Sequence, residues 1–340
     1  MTTRRKVRYA VVGLGHIAQV AVLPAFAHAL RNSELAALVS DDDAKLRTLG
    51  ERYRIRKAAR YGHARFGECL RSGIDAVYIT LPNHLHRRYA ERAARAGVHV
   101  LCEKPMALTE RDAEAMIRAA DRSGIKLMVA YRLHFEAANL GALETVKSRA
   151  IGEPRIFNSV FTMQVKQGNI RVRRKTGGGT LWDIGIYCIN AARYLFRAEP
   201  EEVFAYTANS GDERFREVEE MTSAILRFPG QRLASFTCSF GAADAGGYQV
   251  VGTKGDVRVD PAYEYASGLK STTTIEGRKR TREYVKRDQF APELMHFSDC
   301  VMTGRDPQPS GREGLADVRI IRALYRSART GRPVRLEGLT

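Results

Sequence analysis

Val7-Arg8-Tyr9-Ala10-Val11-Val12-Gly13-Leu14-Gly15-His16-Ile17-Ala18 is the stretch that decides the fold class. A short apolar run ends in a glycine, and helical periodicity starts directly afterwards, over residues 17–30. A strand that enters a helix through G-x-G-x-x-A is the opening turn of a dinucleotide-binding βαβ unit, and the reasons are local. Gly13 permits the tight turn, and Gly15 lets the backbone approach a pyrophosphate. Ala18 lets helix and strand pack closely, while the helix start at His16 and Ile17 offers N–H donors to the phosphates.

Outward from this turn, strand and helix signals alternate at short spacing, the mark of a parallel sheet with crossover helices. Further strands are predicted over 35–40, 76–80, 98–102 and 126–131, and helices over 43–53, 83–96 and 109–123. Thr109, three residues before Asp112, has the character of a helix cap, and so has Asn83. After about residue 150 the texture changes. Strands over 156–165, 202–208, 223–228, 233–240, 248–251 and 256–259 follow one another across turns such as Pro229-Gly230, interrupted by one helix over 179–196. Residues 292–303 and 312–330 are helical again. The expectation is a mixed chain, α/β followed by α+β. Residues 1–130 form a doubly wound Rossmann domain on a parallel sheet; residues 131–340 form an α+β domain with a large, mostly antiparallel open sheet and last helices free to pack back on the first domain.

Composition narrows the function classes. With 340 residues and 44 % hydrophobic content, no apolar run approaches the roughly 18 residues of a membrane span. MTTRRKVRYAVVGLG passes from a few basic residues straight into the first strand, which predicts a cytoplasmic protein without a signal peptide. Cys69, Cys102, Cys188, Cys238 and Cys300 are scattered and never form CxxC pairs, which excludes a disulfide framework or a zinc ribbon; no metal is expected. Net charge is +17. Residues 1–130 hold 23 Lys/Arg against 13 Asp/Glu, +10, and the remainder carries +7. The densest cluster, residues 52–60, has a single aromatic, Tyr53, and no recognised nucleic-acid-binding module, so the excess reads as solvated surface charge rather than a nucleic-acid site.

Four further stretches carry chemistry. Ser40-Asp41-Asp42-Asp43-Ala44-Lys45 follows the second strand, where the adenosine ribose is read. An acidic residue there favours NAD, a hydroxyl with a cation favours NADP, and both kinds are present. Leu81-Pro82-Asn83-His84-Leu85-His86 and Cys102-Glu103-Lys104-Pro105 follow the strands predicted over 76–80 and 98–102, at the sheet end where ligands bind. A lysine at that end can relay a proton. The stretch from Gly177-Gly178-Gly179-Thr180 through Asp183 and Tyr187 to Asn190 starts the helix of the second domain; Asp183 and Tyr187, four apart, share one helix face.

These motifs resemble the glucose–fructose oxidoreductase, inositol dehydrogenase and rhizopine-catabolism (Gfo/Idh/MocA) family over nearly the whole chain. The resemblance rests on GLGHIA, LPNHLH, CEKP, AYRLHFEAAN, GGGTLWDIGIYCIN, ERFREVEE and RDQFAPEL. DIGIY, in place of an aspartate followed four residues later by histidine, points to the glucose–fructose oxidoreductase subgroup. The resemblance implies catalysis by Lys104 and Tyr187, with Asp183 positioning the substrate and Tyr131 lining the sugar pocket. It implies a cofactor set of Gly13, Gly15, His16, Ile17, Ser40, Asp41, Lys45, Pro82, Asn83, His86, Glu103, Lys104 and Arg132. Ser40 and Lys45 match the subgroup's NADP pattern, from which Asp41 departs. The implied reaction is hydride transfer from a sugar alcohol to NADP, with NAD as the alternative, giving a lactone from an aldose. Keto-sugar reduction or dihydrodiol oxidation are the alternatives within the family, and a non-catalytic sugar-sensing regulator is the alternative outside enzymology. Relatives assemble as homodimers or homotetramers, and the same is expected here.

Overall fold

The computed structural model describes residues 5–338, which divide into two compact units. The first runs through Arg132 and takes in Asp288–Leu315; the second holds Leu133–Arg287 and the chain from Ala316 onward.

Six parallel strands form the sheet of the first unit: β1 (Val7–Val12), β2 (Ser33–Val39), β3 (Arg60–Tyr61), β4 (Ala76–Ile79), β5 (His99–Glu103) and β6 (Leu127–Ala130). Their order is β3-β2-β1-β4-β5-β6, the doubly wound arrangement, and it reverses between β1 and β4. Every side chain of β4 and β6 is buried, as expected of strands covered on both faces. The helices are α1 (Leu23–Ala25), α2 (Asp43–Arg52), α3 (Phe66–Leu70), α4 (His86–Arg95) and α5 (Glu110–Ser123). Small side chains let them lie close: α5 buries Ala113, Ala115, Ala119 and Ala120 together with Met116.

Two expectations need correction. The helix predicted over 17–30 runs instead as a π-helical turn, Ala18–Val22, into the three-residue α1. Leu23 N–H reaches back to Ala18 O, and Pro24, with no N–H, cannot carry an α-helical ladder onward. Asn83 does not cap α4; it opens a 3₁₀ turn, Asn83–Leu85, and α4 starts at His86 with no side-chain cap. Thr109 does cap α5, its Oγ1 accepting from Asp112 N–H at 3.1 Å.

The second unit carries α6 (Ala137–Lys147), β7 (Pro154–Thr162), α7 (Ile186–Phe196), β8 (Glu202–Ala208), β9 (Met221–Phe228), β10 (Arg232–Ser239), β11 (Ala245–Gly252), β12 (Gly255–Val259), β13 (Leu269–Ile275) and β14 (Arg278–Tyr284). After α8 (Phe290–Thr303), which belongs to the first unit, α9 (Gly311–Thr330) leads back to β15 (Val334–Arg335). The nine strands lie in the order β14-β13-β12-β11-β7-β10-β9-β8-β15. All neighbours are antiparallel except β7 and β10. Phe157, Phe161, Leu226, Phe228, Phe236 and Val250 point to the buried face. The opposite face displays Ile156, Val160, Ile225 and Leu233 among hydroxyl and amide side chains.

Candidate active site

The turn after β1 is shaped for an anion. Gly13 has φ +99°, and a Cβ there would meet Thr80 O at 2.9 Å, so only glycine fits. Thr80 Oγ1 donates to Gly13 O at 2.6 Å, and Gly13 N–H donates to Val39 O at 2.9 Å, which ties the turn to the ends of β4 and β2. Gly15 is different. A Cβ built on it meets nothing within 4 Å, and Gly15 and His16 are exposed. The turn therefore offers an open, side-chain-free backbone at the point where the strand order reverses, which fits a pyrophosphate. Ile17 is half-buried behind it.

At the end of β2, the three aspartates divide their tasks. Asp42 is the cap of α2, accepting from Lys45 N–H at 2.9 Å and pairing with Lys45 Nζ at 2.9 Å. Its carboxyl is held below the usual range chiefly by those Lys45 contacts. Asp41 Oδ1 accepts from His63 N–H at 2.6 Å. Ser40, buried, accepts from Asp42 N–H at 3.1 Å. Ser40 and the half-exposed Lys45 thus flank one short turn, a hydroxyl and a cation separated by its length.

Glu103 ends β5, and Lys104, half-buried, leads into Pro105. The loop is held from behind by His86, fully buried, whose Nδ1 lies 3.0 Å from Pro105 O and whose Nε2 lies 2.7 Å from Leu81 O. Burial lowers the ring's pKa, against the pull of the backbone carbonyls. His86 therefore bridges the Leu81-Pro82-Asn83 loop to the loop of Lys104, with its ring inside the protein. Tyr131 and Arg132, at the end of β6, are both buried, and Arg132 donates to Gln289 Oε1.

In the second unit Asp183 lies in a π-helical turn, Leu181–Gly185, that continues as α7 with Tyr187 in its first turn. Single π turns are frequent at functional sites, and here one follows the Gly13–Gly15 turn and another carries Asp183. Gly185 sits where a Cβ would meet Leu181 Cδ2 at 3.0 Å and Cys238 Sγ at 3.2 Å. Both Asp183 and Tyr187 are half-buried. The Tyr187 ring is edge-on to Phe161 at 5.6 Å and tilted against Tyr263 at 6.0 Å.

Arg171 joins them, and sequence reasoning missed it. Its Nε donates to Asp183 Oδ2 at 2.5 Å, and its charge also acts on Tyr187 and Tyr265. The signal was the glycine run itself. A Cβ on Gly178 would lie 2.3 Å from Arg171 O, and Gly179 N–H donates to that oxygen at 3.0 Å. The triple glycine is thus a seat for the 170–176 segment, which carries the arginine to the helix start. Glu219, in the ERFREVEE stretch, was also missed. Its Oε1 accepts from Thr180 N–H at 2.6 Å, Thr180 Oγ1 at 2.7 Å and Tyr325 Oη at 2.7 Å, and so anchors the same helix start. His134, by contrast, pairs with Asn190 Oδ1 at 2.7 Å, and burial pulls its pKa down to about 4.

A glycine turn at the switch point of a doubly wound sheet, and an Arg–Asp–Tyr group on a second unit, define a dinucleotide-dependent oxidoreductase. The chain belongs to the GFO/IDH/MocA family: residues 7–131 match its oxidoreductase domain with NAD-binding Rossmann fold, and residues 140–258 match its C-terminal domain. Similar proteins include the NADP-dependent D-xylose 1-dehydrogenase of Haloarcula marismortui, 33 % identical over 98 % of this chain and 94 % of its own. The crystal structure of an aldose-aldose oxidoreductase from Caulobacter crescentus, complexed with glycerol, is 42 % identical and superposes with a TM-score of 0.94, covering 98 % of this chain and all (100 %) of that one. A 3-ketoreductase from Actinomadura kijaniata, solved with NADP and TDP-benzene, is 28 % identical with a TM-score of 0.85, covering 95 % of this chain and 98 % of its own. Among the described residues, no helix is long and apolar enough to cross a membrane.

Proposed function

We propose that this enzyme oxidises an aldose at its anomeric carbon to the lactone, with NADP as hydride acceptor. The observation that carries the reading is the Arg171–Asp183–Tyr187 group, in a chain similar to xylose and aldose oxidoreductases. The bound dinucleotide supplies the redox chemistry. The chain does the rest. Gly13, Gly15, His16 and Ile17 receive the pyrophosphate, and Pro82, Asn83, Glu103, Lys104 and Arg132 complete the cofactor set, with His86 holding two of those loops together. Ser40 Oγ and Lys45 Nζ receive the phosphate that distinguishes NADP, and Asp41 stands as the ribose reader for NAD.

Asp183 accepts hydrogen bonds from sugar hydroxyls, oriented by the Arg171 guanidinium. Tyr187, reacting as the phenolate, takes the proton of the anomeric hydroxyl and becomes the phenol as the C–H electron pair leaves as hydride. Lys104 serves the same proton transfer, and Tyr131 contributes to the sugar pocket. The dinucleotide is assigned to residues 1–130, and sugar binding and self-association to 131–340. Five free, buried cysteines suit a reducing cytoplasm. Reduction of a keto-sugar is the second reading, favoured by the similarity to the 3-ketoreductase.

The test is a screen of aldoses, polyols and keto-sugars by nicotinamide absorbance, with NAD and NADP supplied separately. Aldose oxidation with NADP is the expected result. Turnover confined to keto-sugars with NADPH establishes the second reading, and tight sugar binding without turnover establishes a sensor.

A further inference from the structure

Beneath the Lys104 loop, and wholly inside the first unit, two carboxyl groups share one phenol. Tyr78 Oη, on β4, lies 3.0 Å from Glu103 Oε1 and 3.0 Å from Glu293 Oε2 of α8. Tyr78 and Glu293 are fully buried. A phenol has one hydrogen to donate, and an ionised carboxylate only accepts. If both glutamates were charged, one of the two contacts would set lone pair against lone pair at hydrogen-bonding distance. One carboxyl must therefore carry a proton and donate it to Tyr78 Oη.

The surroundings decide which. Burial raises the Glu103 carboxyl too, but Glu103 keeps some exposed surface, is adjacent in sequence to Lys104, and has the positive charges of Lys104 and Arg132 pulling toward its ionised form. Glu293 has no exposed surface, and its Oε1 has no hydrogen-bond partner. An ionised carboxylate with one oxygen unpaired in the interior would be far more costly than a neutral acid. The charged and titratable groups that act on it are Glu103, Arg132, Asp288, Tyr78 and Tyr9. Burial, seconded by the charge of Glu103, pushes the Glu293 carboxyl well above the usual range.

We propose that Glu293 is held as the neutral acid and, by donating to Tyr78, turns the single phenolic hydrogen toward Glu103, so that Tyr78 and Glu293 are positioning residues for the Glu103-Lys104 end of β5. The chain of donation is Glu293 O–H to Tyr78 Oη, then Tyr78 O–H to the Glu103 carboxylate. It fixes the residue preceding Lys104 from inside the sheet, while His86 fixes the residue following it. Only the consequence for turnover rests on the role given to Lys104; the trapped proton does not.

The proton is read directly by infrared spectroscopy of the intact protein. Wild type is expected to show a protonated-carboxyl stretch at neutral pH that disappears in Glu293→Gln and persists in Glu103→Gln. No such band, or one lost in Glu103→Gln instead, overturns the assignment. Stability gives a second reading. A carboxyl whose folded pKa lies above its unfolded value of about 4.3 contributes most below that pH, and the contribution falls as pH climbs toward the folded pKa. Glu293→Gln, which does not titrate, should therefore gain in melting temperature relative to wild type between about pH 5 and about pH 8; parallel curves count against a trapped proton. For positioning, Glu293→Gln keeps a donor to Tyr78 and Glu293→Leu does not. The leucine variant is expected to lose about tenfold in kcat with little change in KM for NADP, and the glutamine variant to recover most of it. Equal loss in both, with the infrared band in place, leaves the proton standing and overturns the positioning role.

Discussion

At the residue scale the chemistry rests on a few atoms that can be removed singly. Tyr187→Phe keeps the ring contacts with Phe161 and Tyr263 and takes away only the hydroxyl. Melting temperature and NADP affinity should hardly move, while kcat falls by about 10²–10⁴, the usual scale for losing a general base. Lys104→Met should do comparable damage, and the double variant should be less than additive if both groups serve one proton transfer. Steady-state kinetics across pH should show a base-dependent limb in wild type that the phenylalanine variant lacks. A variant with wild-type turnover moves the base elsewhere; His86 and His134 come next, though His134, with its pKa near 4, already stands neutral at physiological pH. Lys45→Ala tests the cofactor. The Lys45 ammonium pairs with the part-exposed Asp42, a weak surface pair, so its loss costs the fold little. NADP binding should weaken by about 1–2 kcal/mol more than NAD binding, as for a lost charge-assisted contact. Titration showing equal loss for both cofactors would favour Asp41 as the reader of the ribose.

At the scale of elements, the two turns that matter obey different constraints. Gly13 is required by the fold, since its φ and the Thr80 carbonyl leave no room for a side chain. Gly15 is under no such constraint, so the reason for glycine there is external to the chain. Gly15→Val should accordingly leave the melting temperature within a degree or two while cofactor affinity, measured by fluorescence titration, falls at least about tenfold. Unchanged affinity would show that the turn does not hold the pyrophosphate. The same contrast explains what was legible in the sequence. Five of the six parallel strands read plainly because they form apolar runs that end at ligand motifs; β3, two residues at the sheet edge, did not. The 278–284 strand did not, because RKRTREY has no apolar alternation and holds its place by pairing with β13. The helix at 137–147 was missed because its cap is Glu136, which accepts from Ala138 and Asn139 N–H, and not the usual Ser, Thr or Asn. Both π turns escaped for a simpler reason: apolar periodicity does not distinguish 3.6 residues per turn from a slightly wider helix over five residues. Glu219 was illegible as a site residue, and Arg171 legible only through the glycine run, because each reaches its partner across a stretch of chain whose path depends on tertiary contacts, the glycine seat at 177–179 and the helix start at Thr180.

At the scale of the whole molecule, the open face of the nine-stranded sheet sets the last expectation. The β7–β10 register puts Ile156 beside Leu233 and Val160 beside Thr237, and β9 adds Ile225 opposite Ser235. Ile156, Val160, Ile225 and Leu233 are each between 43 % and 49 % exposed, four aliphatic side chains grouped across three central strands of one sheet. Single exposed aliphatics are ordinary on a monomer, whereas a group of this kind on a flat face marks a contact surface. The polar residues between them, Asn158, Ser223, Ser235 and Thr237, are uncharged, with Asn158 and Ser235 already bonded to each other at 2.7 Å. Charge lies only around this centre, where Arg227, opposite Leu233, pairs with Glu202 at 3.6 Å and Arg258 lies beyond Gln249; the uncharged centre suits a second copy of itself, because a chain of net charge +17 would otherwise repel its own kind. The enzyme should therefore run as a homodimer or homotetramer in light scattering at micromolar concentration. Val160→Glu together with Ile225→Lys should reduce the mass to that of one chain at low concentration, with the melting temperature falling and depending less on protein concentration than in wild type. A wild type that is monomeric at tens of micromolar, or a double variant that keeps the full assembly, would mean that this face meets solvent and that any association uses another surface.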